Sequence, residues 1–403
     1  MNFFRSRLEA YPRLEDYRLA KAAGYWPYYK TVESASRPRF TIEGADYINF
    51  GSNNYLSLSY HPDVIEAAQR ATSKYGTGVT GSRLLNGTLD LHRTLEAELA
   101  EFYGREAALV FSTGYVANVA TIGGLLNRHD YAILDKDAHN SLLTGAQLSG
   151  ATMKRFGHND LERLARILDG LPPERGKGVI VDGVYSMGGD TAPLDQLVEL
   201  CHAHPNTFLL DDEAHGLGVL GARGRGAAER YDVLADVDLI TITFSKTLGS
   251  CGGALIGSPD AIELLMLDAD PLIFTASNTP GSVAAALEAL RILRDEPEIT
   301  TRLRANVGLF IDLLTDRGVP VNPAESAILT IPLRRRDEVS AVVLARELLE
   351  AGVFVNPVVA PAVAQGLGLI RLSLMLDHTP ALLEEAAEVI FKVLNDNDQL
   401  PEE

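Results

Sequence analysis

Cysteine is nearly absent from this chain: Cys201 and Cys251 are the only two in 403 residues. Two thiols cannot build the disulfide framework of a secreted domain, so the sequence suits a reducing compartment. Long hydrophobic runs are missing as well. The apolar stretches are strand-sized and residues 1–9 lack a sustained apolar core, so neither a membrane span nor a secretory signal is expected, and a cytoplasmic location is. Basic residues are outnumbered, 36 against 54 acidic, and the formal charge of −18 disfavours nucleic acid and anionic membrane as partners. An anionic substrate would need a local basic patch. Low-complexity tracts and internal repeats are lacking, and with 46% hydrophobic and 22% charged residues the chain reads as an ordinary globular protein. The histidines show no metal-ligand grouping with the cysteines, so His92, His158, His202 and His204 read as structural or solvent-facing. The glycine-rich segment 76–83 lacks a Walker A ending, and no G-x-S-x-G elbow occurs, which argues against a P-loop NTPase and a serine hydrolase.

What is present is a set of polar residues placed just after apolar, strand-like runs. Lys246 follows the run 239–244 and precedes Gly249, Gly252 and Gly253. In an α/β fold, ligands gather beyond the carboxyl ends of the strands. A desolvated lysine there can lose its proton and act as a nucleophile or base toward an aldehyde cofactor. A second buried run, 207–210, delivers Asp212 and His215 to the same edge. A lysine for a Schiff base and a carboxylate opposite the pyridine nitrogen are what pyridoxal phosphate requires.

Other strand ends add to the set. Ser112, Thr113, Gly114 and Tyr115 follow a run ending at Phe111 and open a helix, whose positive end can hold a phosphate or whose hydroxyls can simply cap it. His139 can lie against an aromatic ring or cap the following helix. Ser186 follows a further strand, where an ordinary loop serine is the plainer reading. Arg371, inside the apolar run 370–374, needs a carboxylate partner, supplied either by the protein or by a bound amino acid. Cys251, despite its nearness to Lys246, reads as a small apolar filler.

Residues 1–50 read as an arm with a helix, an aromatic cluster at 25–29 and a hairpin turning at Gly44. Residues 51–290 alternate helical patterns with strand-like runs at 107–111, 131–134, 179–181, 208–210, 239–244 and 254–256. That alternation predicts an α/β unit with a largely parallel sheet and helices on both faces. Residues 291–403 read as a smaller α+β unit with strands near 327–331, 353–355 and 369–374 and a closing helix at 380–394.

The motifs Asp212-Glu213-Ala214-His215-Gly216, Thr243-Phe244-Ser245-Lys246, Gly51-Ser52-Asn53-Asn54-Tyr55-Leu56 and Gly81-Ser82-Arg83-Leu84-Leu85-Asn86-Gly87-Thr88 closely resemble the α-oxoamine synthase family of fold-type I pyridoxal-phosphate enzymes. The resemblance covers essentially the whole chain, and the last motif is most similar to that of bacterial serine palmitoyltransferases. It implies the aminotransferase-like transferase fold, a large domain with a mostly parallel seven-stranded sheet plus a smaller α+β C-terminal domain. It implies pyridoxal 5'-phosphate as cofactor, with Lys246 as its Schiff-base residue and later the base, and Asp212 at the pyridine nitrogen. His139 would stack on the ring, while His215 and Ser186 would lie near its phenolic oxygen. Thr243 would join Ser112, Thr113, Gly114 and Tyr115 around the phosphate. Thr275 and Ser277 would reach that phosphate across the interface of a homodimer with shared active sites, and Asn53 and Arg371 would clamp the amino acid carboxylate.

The implied reaction is decarboxylative condensation of an amino acid, L-serine foremost, with an acyl thioester, a long-chain acyl-CoA foremost. Glycine or alanine, a shorter or carrier-protein-bound acyl chain, and a non-catalytic partner-subunit role are the alternatives; a transaminase would use the same lysine and aspartate. Two departures bear on the acyl group: Ser57 where relatives often carry glycine, and the single proline of Pro361-Ala362-Val363-Ala364-Gln365-Gly366.

Overall fold

The computed structural model describes residues 2–11, 14–360 and 362–400, so Pro361 lies outside the described residues. Near the amino end, β1 (Arg39–Ile42) and β2 (Ala45–Asn49) form the expected antiparallel hairpin. Glu43 and Gly44 both take positive φ, 50° and 81°. This is the turn that follows the natural strand twist, and glycine adopts it without a Cβ penalty.

Seven strands then build the central sheet: β3 (Ala107–Phe111), β4 (Tyr131–Asp135), β5 (Thr152–Phe156), β6 (Lys177–Asp182), β7 (Thr207–Asp212), β8 (Leu239–Thr243) and β9 (Gly253–Gly257). Their spatial order is β3-β9-β8-β7-β6-β4-β5. Strands β4 to β8 pair in parallel, while β9 runs antiparallel to both of its neighbours. The expected runs account for six of the seven. The edge strand β5 lies outside them because Thr152, Lys154 and Arg155 are exposed and break any apolar run; charge on an edge also discourages pairing with another chain.

The central strands are apolar on both faces because helices cover both. In β6, Val179 and Val181 enter one buried cluster and Ile180 enters the other, as the two-residue strand period requires. Polar groups are therefore driven to the strand ends.

Toward the carboxyl end come β10 (Ile328–Pro332), β11 (Val353–Phe354), β12 (Asn356–Val358) and β13 (Leu369–Ser373). Strand β13 lies between β10 and β12 in an antiparallel sheet, while β11 adds in parallel to β2. The arm hairpin and this C-terminal region are thereby tied together. Phe50, fully buried, stacks on Phe310 at 4.9 Å and on His378 at 4.6 Å between ring centres; burying such a ring contributes about 2–3 kcal/mol. Backbone bonds from Ser373 to Phe50 and from Leu376 to Tyr55, 2.8 and 2.7 Å, seat the segment after β2 against the end of β13. That seating sets Asn53 and Tyr55 beside Arg371. Among the described residues no helix is long and apolar enough to cross a membrane.

Candidate active site

Strands β6, β7 and β8 end side by side at Asp182, Asp212 and Thr243, with Asp182 opposite Asp212 in register. Strand β9 enters at the same edge. Beyond these ends lies a cavity of about 260 Å³ lined by Tyr115, His139, Asp212, His215, Lys246 and Cys251, among others.

Lys246 sits three residues past β8 in a loop that Gly249 and Gly252 turn back toward β9. A Cβ on Gly252 would stand 2.4 Å from the Phe244 ring, so only glycine lets the loop close. Lys246 Nζ is 2.9 Å from His215 Nε2. Burial pulls its pKa down to about 8, Asp212 and Asp182 oppose that pull, and Arg371 adds to it. A neutral amine is thus within reach near neutral pH.

Asp212 is served on both oxygens: Asn118 Nδ2 donates to Oδ2 at 2.7 Å and the Ala214 amide donates to Oδ1 at 3.0 Å. Its neighbour Asp182 accepts the His139 amide at 2.8 Å, while burial and the Asp212 charge push its pKa well up. Of the two readings for His139 the structure shows the capping one. Its Nδ1 caps the helix Asn140–Ser149 at the Ser141 amide and lies 2.7 Å from Ser141 Oγ, while the exposed ring borders the cavity. Burial lowers the pKa of His139 and drives that of His215 well down, which leaves His215 neutral.

A second corner is built by the start of the helix Gly114–Leu125. Thr113 is its cap, accepting from the Val116 amide at 3.0 Å. The Gly114 and Tyr115 amides have no acceptor within the helix. A Cβ on Gly114 would lie 2.6 Å from the Thr243 Cβ, so the glycine permits helix and strand end to meet. Thr243 and Ser245 join hydroxyls across the corner at 2.9 Å. Ser112 does not line the cavity; its carbonyl accepts from the Cys251 thiol at 3.8 Å. Cys251 itself corrects a sequence expectation: it is exposed and lines the cavity, because β9 starts only at Gly253.

Arg371 on β13 is 5% exposed, yet among the described residues no carboxylate pairs with it. Its Nη2 donates to Asn53 Oδ1 at 3.1 Å and its Nε is buried without a partner. The protein-carboxylate reading of Arg371 is thereby removed. Ser186 lies half-buried in the turn after β6 and does not line the cavity, where Asp182 and His139 form that wall. Thr275 and Ser277 also stand away from it. Ala276 bridges Ser82, the Ser277 amide bonds Gly81, and Ser277 Oγ meets His92 at 3.1 Å. The glycine-rich segment, whose Arg83 pairs with buried Glu96, therefore holds the 275–277 segment.

Sequence reasoning missed Asn118, Ser141, Asp182, Ser245 and Tyr55. Asp182 was open to the rule that found Asp212, since both end buried strands, and Asn118 sits one helical turn after Gly114. Tyr55 lay within a quoted motif without a role.

Residues 45–390 match the model of the aminotransferase class I and II family. The chain belongs to that family. It is 42% identical to a serine palmitoyltransferase of Sphingobacterium spiritivorum over 373 residues, 93% of either chain. It is 39% identical to an 8-amino-7-oxononanoate synthase of Geobacter sulfurreducens, over 92% of this chain and 94% of that one. Among solved structures, Sphingomonas wittichii serine palmitoyltransferase matches with a TM-score of 0.93 at 38% identity, covering 98% of this chain and 99% of that one. These relatives place the chain among the α-oxoamine synthases, pyridoxal-phosphate-dependent acyltransferases of fold type I. The cavity fits that cofactor: a glycine-lined helix start, a doubly held carboxylate, an exposed imidazole and one amine line the same space.

Proposed function

We propose that this α-oxoamine synthase joins L-serine to a long-chain acyl-CoA, releasing carbon dioxide and free thiol to leave an α-amino ketone. Arg371 carries the amino acid half of this reading. A buried guanidinium with an unpaired Nε and, among the described residues, no carboxylate partner is a ready receptor for a substrate carboxylate, with Asn53 beside it. The relatives named serine palmitoyltransferase support serine and a long acyl chain; the 8-amino-7-oxononanoate synthases support a second reading with another amino acid and thioester.

Pyridoxal phosphate, when bound, supplies an aldehyde and an electron-withdrawing ring. Lys246 would hold the aldehyde, Asp212 would serve the ring nitrogen, and His139 would support the ring. Thr113, Gly114, Tyr115 and Thr243 would hold the phosphate at the helix start, with Ser112 just outside the cavity before them. Lys246 would be the base that takes the amino acid's α-proton, and its lowered proton affinity keeps a neutral amine available for that role. Arg371 and Asn53 hold the carboxylate so that the bond to be broken is oriented. His215 stays beside Lys246. Two copies of the chain form the working unit, and Thr275 and Ser277, next to the exposed Phe274, complete the partner's phosphate site.

The test is mass spectrometry of products after incubating the purified protein with pyridoxal phosphate, the common amino acids and acyl-CoA thioesters from acetyl to palmitoyl. A decarboxylated adduct of serine and a long chain is expected. An adduct of alanine or glycine would favour the second reading, and the absence of any adduct would contradict both.

A further inference from the structure

Three side chains connect Arg371 to Lys246 without a break. Arg371 Nη2 meets Asn53 Oδ1 at 3.1 Å, Tyr55 Oη lies 3.2 Å from that oxygen and 2.7 Å from His215 Nδ1, and His215 Nε2 is 2.9 Å from Lys246 Nζ. Tyr55 is fully buried and has one hydrogen to give. We propose that Tyr55 is a positioning residue that sets the proton affinity of Lys246 by choosing which nitrogen of His215 carries the proton.

The logic follows from counting donors. A charged Lys246 has only hydrogens to offer, so Nε2 must be bare, Nδ1 carries the hydrogen and donates to Tyr55, and Tyr55 donates to Asn53 Oδ1. With a neutral Lys246 the order reverses. Nε2–H then donates to the amine lone pair, Tyr55 donates to Nδ1, and Asn53 Oδ1 is left to Arg371 and Ser373, 3.1 and 3.3 Å away. The chain therefore has two arrangements, each matched to one state of Lys246.

Burial keeps Tyr55 protonated, at a pKa of about 12, so it relays by switching its hydrogen and not by ionising. The other charges facing Lys246 are Asp212 on β7 and Asp182 at the end of β6, which raise its pKa, and Arg371 on β13, which lowers it; His139 and Arg371 act on His215 in the same lowering sense. A carboxylate on Arg371 would draw its hydrogen from Asn53 and cancel its charge. Both changes raise the proton affinity of Lys246, so filling the clamp offsets part of the lowering that burial imposes. This consequence rests on the substrate reading above, whereas the role of Tyr55 in the free chain does not.

The experiment uses the full chain freed of cofactor and follows the rate of Lys246 acetylation by acetic anhydride against pH, read by peptide mass spectrometry. Tyr55→Phe keeps the ring and removes only the hydroxyl; both arrangements lose their bond at Nδ1, but the charged-lysine one is left with a buried N–H donor and also loses the Tyr55–Asn53 bond, so the midpoint falls by about one pH unit. In a His215→Leu background the same change shifts nothing. Asn53→Leu, which removes the other acceptor, lowers the midpoint in the same direction and serves if Tyr55→Phe does not fold. An unchanged midpoint in Tyr55→Phe, or an equal shift once His215 is gone, overturns the proposal. Failure of the substrate reading would show instead as no condensation product while these midpoints behave as stated.

Discussion

Adjacent residues of β7 carry carboxyl groups to opposite faces of the sheet, and the two faces treat them differently. Asp212 faces the cavity with donors on both oxygens. Asp211 and Glu213 point the other way, where both Asp211 oxygens and Glu213 Oε2 are buried without a donor, near the equally unpartnered Tyr103 hydroxyl. As carboxylates neither could donate to the other; one proton between them makes a bond. Burial and their mutual charge push Asp211 well above the usual carboxylate range, and burial pushes Glu213 up to about 7. Glu213 still has a structural task. Its Oε1 takes the Ala228 amide at 2.9 Å, and its carboxyl occupies the space where Cβ atoms on Gly216 and Gly226 would lie. One face of the strand serves chemistry, and the other holds the loop that carries His215.

The sharpest break of that contrast comes on the cavity face. Lys246→Ala is expected to lower turnover by roughly 10⁴-fold or more while thermal unfolding stays close to wild type; near wild-type turnover would remove the lysine from the reaction. Asp212→Asn should cost about 10²-fold to 10⁴-fold in kcat, whereas Asp211→Asn, which merely gives its neighbour a donor, should leave kcat within a few-fold. Equal losses from the two would erase the difference between the faces.

Smaller effects refine it. Arg371→Lys loses the forked geometry, so KM for the amino acid should rise by about 10-fold to 100-fold with a lesser change in kcat. On the structural face, Glu213 binds its proton more tightly folded than unfolded. The stability it contributes is full below 4.5, the ordinary carboxylate value, and is lost as pH rises through about 7. Glu213→Gln should flatten that decline, measured as urea midpoints at pH 5 and pH 8; an unchanged slope would place the titration elsewhere.

The same contrast shows what could be read from the sequence. Lys246, Asp212, His139 and the helix start at Thr113 were legible because each follows a buried strand, and strand ends in an α/β sheet share one edge. The adjacency of Arg371 to Asn53 was carried by the family motifs. It was not readable from spacing, since it depends on Phe50 seating the arm against β13 across more than half the chain. Tyr55 and Asn118 were hidden for a related reason: their importance lies in one hydrogen bond each, to His215 and Asp212, and neither residue type announces such a partner. The position of Cys251 turned on where β9 begins, which an apolar run leaves uncertain by a residue or two. The division of Asp211-Asp212-Glu213 between two faces follows from strand alternation, but which face is open required the sheet order.

The most direct test of the central claim, that this edge of the sheet runs a decarboxylative condensation, is release of labelled carbon dioxide from carboxyl-labelled L-serine with and without palmitoyl-CoA. The account predicts release that depends on the thioester and matches free thiol one for one. Release without thioester, or thiol formation with the label retained in the product, would contradict it.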